Sequence, residues 1–127
     1  MGAVDEGLAR RVRLFREGGH VPGEVVEFVV AELGLLAAAG RSVTEARAGM
    51  LTSHLMMALT RSVKGEPVDQ GAMDEQVAAE LADHSEAVAA ARDLAARARA
   101  ALGCRLPESE IGFLGMHLAV LSRCAPS

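Results

Sequence analysis

The chain has 127 residues, half of them hydrophobic and 24% charged, which is room for one domain around one core. A net charge of −4 at pH 7 and the absence of Trp and Tyr weigh against direct nucleic-acid binding, which needs a basic face and draws on aromatic stacking platforms. No run of about 18 apolar residues is present to span a bilayer, and Met1 to Gly7 lacks the basic-then-apolar pattern of a signal peptide, so a cytoplasmic protein without membrane association is expected.

Ala, Leu and Val supply the apolar bulk, which favours packed helices over strands. Six helices are predicted. The first covers Val4 to Glu17, with Val4, Leu8, Val12 and Phe15 on one face. Arg10, Arg11, Arg13 and Arg16 crowd its remainder and read as a solvated face, and Gly18-Gly19 ends it. The second runs from Pro22 to Ala39 on a stripe of Val25, Val29, Leu33 and Leu36, with Phe28 beside it and Gly40 as the stop. The third runs from Val43 to Lys64, and Ser42 with Glu45 has capping-box spacing.

A weaker fourth helix is predicted over Gly71 to Ala82, from the four-residue spacing of Met73, Val77 and Leu81. Asp83 with Glu86 offers a cap-like start to a fifth, which ends at Leu102 before Gly103. The last opens at Pro107 with Glu108 and Glu110 near its positive N-terminus, carries Phe113, Leu114, Leu118 and Leu121 as its apolar face, and ends before Pro126. No alternating strand pattern and no repeat is present, so the expected fold class is all-α, an antiparallel bundle with short connections.

Catalytic signatures are missing: no GxSxG, Walker loop, HExxH or CxxC occurs. Cys104 and Cys124 read as reduced thiols, and neither a metal site nor a cofactor is expected. Of the four histidines, His20 and His84 fall in or beside predicted turns and read as solvated. His54 and His117 sit within the bodies of long amphipathic helices. Arg47, His54 and Arg61 share a heptad stripe with Met50 and Met57 beside it, and guanidinium groups suit a phosphorylated imidazole better than a protonated one. Residues seven apart lie about 10.5 Å apart along a helix axis, so direct contact within that stripe is not assured. Glu110 and His117 are also seven apart. The residue pattern leaves both histidines open between a core imidazole and a functional one, and on pattern alone the core reading leads.

Two segments carry a family resemblance. Leu51-Thr52-Ser53-His54-Leu55-Met56-Met57-Ala58-Leu59-Thr60-Arg61, followed by Gly65, is the first. Leu106-Pro107-Glu108-Ser109-Glu110-Ile111-Gly112-Phe113-Leu114-Gly115-Met116-His117-Leu118 is the second. Together they resemble the PRD family, the phosphotransferase-system regulation domain of bacterial antiterminators and transcriptional activators. The likeness spans about Val21 to Ser122. It implies a five-helix bundle over residues 21–124, with residues 1–20 as an extra N-terminal helical extension, and a paired, homodimeric state. It further implies phosphorylation of His54 and His117 by phosphocarrier or sugar-permease proteins of the phosphotransferase system, with Arg61 and Glu110 as supporting residues.

Two departures touch packing: Ala82-Asp83-His84-Ser85 replaces the family's Tyr-Pro connection, and Asp69 stands where Asn is frequent. Family regulators also carry a nucleic-acid-binding domain and tandem copies of the module. A single copy here implies a stand-alone regulatory module in transcription regulation, not an enzyme, that signals through dimerisation or a partner. The alternatives are an interaction module that is not phosphorylated and, ranked last, an enzyme or metal protein using His54 and His117. Neither helix supplies a second ligand three or four residues from its histidine on the same face.

Overall fold

The computed structural model describes residues 5–41, 43–66, 79 and 82–123, without the side chains of Ser122 and Arg123. Those residues form α1 (Glu6–Gly18), α2 (Gly23–Ala38), α3 (Glu45–Val63), α4 (Ser85–Leu102) and α5 (Glu108–Arg123), with no strand among them. The fold is all-helical, as expected. The helix predicted over Gly71 to Ala82 falls outside the described residues, apart from Ala79 and Ala82.

One core joins the five described helices. Leu8 and Val12 of α1, Val25, Val26, Val29 and Leu33 of α2, Leu51, Leu55, Met56 and Leu59 of α3, Ala91 and Leu94 of α4, and Leu114, Leu118 and Leu121 of α5 are buried in it. Burying a Leu or Val side chain contributes about 1.5–3 kcal/mol, so α1 is held to the bundle by its two core residues and is part of its packing. Val4, expected on the same stripe, lies outside the described residues. Among the described helices, α4 and α5 make the most extensive contact, and their link turns at Gly103. There φ is +71°, a conformation glycine adopts without a Cβ clash, and the turn buries the free Cys104 thiol beside the Leu59 carbonyl.

Two caps differ from the sequence expectation. The helix carrying His54 begins at Glu45, with Thr44 as its N-cap accepting a hydrogen bond from the Arg47 amide at 3.3 Å. Glu45 follows this cap, its carboxylate paired with Arg11 and its amide donating to Asp5 Oδ2 at 2.8 Å; Ser42, the other half of the expected capping box, lies outside the described residues. The helix after Asp83 begins one residue later than expected, with His84 at the N-cap and no side-chain cap bond.

Ion pairs tie the helices where apolar contact gives out. Arg97 of α4 grips the buried Glu32 carboxylate of α2 through two bonds of 2.7 Å. This paired geometry holds the Arg97 guanidinium above its ordinary pKa. At the α4–α5 hairpin, Arg92 makes a similar but exposed pair with Glu108.

Candidate phosphoacceptor groove

Helix α3 presents Leu51, Leu55 and Leu59 to the core, which leaves Met50, His54, Met57 and Arg61 at the rim of that face. On α5, Glu110, Phe113 and His117 follow one another at i, i+3 and i+7 and share a stripe. Packing α3 on α5 sets the two rows against each other. His54 Nε2 is hydrogen-bonded to Glu110 Oε2 across 56 residues of chain. The His54 ring stacks on Phe113 with centroids 4.1 Å apart and an interplanar angle of 26°. His117 tilts against the same Phe113 ring at 4.5 Å and 49°.

His54 keeps 28% of its side-chain surface exposed, whereas Glu110 keeps 7%. Nε2 is thus the ring nitrogen engaged by Glu110, and Nδ1 is the other. His117 is half-buried. Desolvation, with a smaller contribution from the charge of His54, holds it below the ordinary imidazole pKa, so it is neutral near pH 7.

His54 opens into a groove of about 450 Å³ lined by Arg11, Met50, Ser53, His54, Met57, Ala58, Arg61, Glu110 and Phe113. Of the four residues singled out from sequence, three line this groove, and His117 is separated from it by one phenyl ring. Phe113 was expected on the buried face of its helix; it is 39% exposed at the groove's edge, in ring contact with both imidazoles. Arg47 was expected in the His54 stripe, but it is not among the groove's lining residues. The second guanidinium is that of Arg11, from α1, which the sequence reading assigned to a solvated face.

A family model described as the PRD domain matches residues 41–121, more than half of the chain, and takes in both histidine segments. The chain belongs to the PRD domain family. It is therefore a regulatory domain of the phosphotransferase-system type. No curated protein and no solved structure matches it. The matched stretch of this PRD takes in α3, α4 and α5 as far as residue 121, and leaves α1 and α2 before it. No helix among the described residues is long and apolar enough to cross a membrane, and no group of three metal-ligating side chains occurs among them.

Proposed function

We propose that His54 and His117 are phosphoryl acceptors and that the donor is a phosphocarrier or sugar-permease protein of the phosphotransferase system. The observation that carries this reading is the placement of two imidazoles from distant segments on one Phe113 ring, at the edge of an open groove that holds two guanidinium groups. A core histidine needs neither access nor cations; a phosphohistidine needs both.

The step at His54 follows the logic of an oriented nucleophile. Glu110 fixes the tautomer, so Nδ1 attacks the phosphorus of the donor's phosphohistidine in line. The new N–P bond forms at Nδ1 as the donor's N–P bond breaks, and the donor imidazole leaves with that electron pair. Positive charge grows on the His54 ring and is offset by the Glu110 carboxylate at Nε2–H. Arg61 receives the incoming phosphoryl oxygens. His117, held neutral, has a free lone pair for the same chemistry.

The output is a change in association, by dimerisation or a partner protein, in the service of transcription regulation. Met50, Met57 and Phe113, which are 72%, 48% and 39% exposed, form an apolar rim around His54. An apolar rim favours burial against another surface, and a group of about two negative charges in its midst opposes that burial. The same rim supports a second reading, association without phosphorylation. Incubating the chain with phosphoenolpyruvate, the system's first enzyme and its phosphocarrier, and following oligomeric state by light scattering, separates the two. The proposal expects phosphate uptake with a shift in mass; uptake unchanged in a His54→Ala/His117→Ala variant refutes it.

A further inference from the structure

We infer that Arg11 is a ligand of the phosphoryl group on His54, supplied by helix α1 from outside the family-matched stretch. The inference rests on the reading of His54 as an acceptor. Arg11 reaches across from α1 to α3. Its Nε lies 3.0 and 3.1 Å from the two carboxylate oxygens of Glu45, and its Nη1 donates to Ser53 Oγ at 2.8 Å. Ser53 directly precedes His54, and all three residues line the same groove.

The helix beneath is shaped for this arginine. A Cβ at Gly49 would lie 3.0 Å from Arg11 Nη2 and 3.0 Å from Glu45 Oε1, so a larger residue there would require the guanidinium and carboxylate to shift by a few tenths of an ångström. At Gly7 a Cβ would lie 2.9 Å from Glu45 Cβ, so α1 is seated closely over the start of α3.

The charges decide where the guanidinium goes after modification. Glu45 offers a single negative charge at a partly exposed position. A phosphoryl group carries about two at neutral pH, with three strong acceptor oxygens. Arg11 is itself about a third exposed, so its side chain can pivot without unpacking the core. Among the described residues that line the groove, Glu110 alone is acidic, and it is engaged with the His54 ring. The phosphoryl group thus competes with Glu45 for Arg11, and Ser53 Oγ stands beside it as a second donor.

Potassium phosphoramidate transfers its phosphoryl group to accessible imidazoles without a protein donor: the ring nitrogen attacks phosphorus, the P–N bond breaks and ammonia leaves. Applied to the full chain carrying His20→Gln, His84→Gln and His117→Gln, it loads His54 alone. The ³¹P resonance of that phosphohistidine is then titrated with pH. An adjacent guanidinium favours the dianion, so Arg11→Ala is expected to raise the titration midpoint by about one pH unit. Arg11→Lys restores part of the shift. Glu45→Ala breaks the same ion pair but leaves Arg11 free for phosphate, so its midpoint stays low; this distinguishes phosphate binding from loss of α1 packing. Equal midpoints in the parent and Arg11→Ala overturn the inference, as does a His54 that phosphoramidate cannot modify. Loading by phosphoramidate but not by the phosphocarrier defeats the proposed donor and leaves the Arg11 assignment standing.

Discussion

The Glu110 carboxylate on α5 holds the Nε2 edge of the His54 ring on α3, joining the two motif segments in one hydrogen bond. This contact ties the two histidine-bearing helices together at the site and leaves Nδ1 as the His54 nitrogen that Glu110 does not engage. Its first consequence is positional. Phosphate on His54 is expected at Nδ1, as read by ³¹P–¹⁵N coupling in protein labelled at histidine. Glu110→Gln keeps the shape but removes the charge, and is expected to slow uptake at His54 on the order of tenfold while sparing His117. Phosphate at Nε2 contradicts the assigned role of Glu110.

His117 gives the fold a pH dependence whose sign is fixed. Burial, aided by His54, holds its folded-state pKa below the ordinary value of 6.5. Above that value the ring is neutral in both folded and unfolded states and costs nothing. As pH falls through the window below it, the unfolded chain takes up a proton that the folded chain resists, and stability drops. Denaturant midpoints measured between pH 7.5 and about pH 5 are expected to fall for the parent and to fall less for His117→Gln. Parallel curves for the two proteins would show that the ring is not desolvated.

The Arg97–Glu32 pair makes a separate stability prediction. Arg97→Ala leaves the Glu32 carboxylate buried between α2 and α4 without its partner. Removing one member of a fully buried pair typically costs about 3–5 kcal/mol and of an exposed pair about 0–1, and the 46% exposure of Arg97 places the expected loss between them, at about 1–2. Adding Glu32→Met to that variant removes the stranded charge and is expected to recover most of the loss in a chemical denaturation curve. A double variant as unstable as the single one would mean that the cost lies in lost packing.

Much of this was legible in the chain. Apolar spacing located α1, α2, α3, α4 and α5 to within a few residues, because Leu8 and Val12, Val25 and Val29, and Leu114 and Leu118 have their burial set by helical periodicity. The histidine segments were legible as well: Glu110, Phe113 and His117 fall on one stripe whatever α5 packs against. What escaped depends on contacts between helices. Arg11 looks like its neighbours Arg10 and Arg13, and only the seating of α1 over Gly49 and Glu45 selects it. Phe113 reads as core by type, yet it is partly exposed and packs beside two imidazoles. Thr44 is the N-cap of α3, and Glu45 beside it is paired with an arginine 34 residues earlier, a contact that local spacing does not reveal.

The measurement that bears most directly on the account is localisation of phosphate by peptide fragmentation under mildly alkaline conditions. It would follow incubation of the chain with phosphoenolpyruvate, the first enzyme and the phosphocarrier. The account predicts phosphate on the peptides bearing His54 and His117 and none on those bearing His20 or His84. Phosphate on the turn histidines instead, or on no histidine at all, would contradict it.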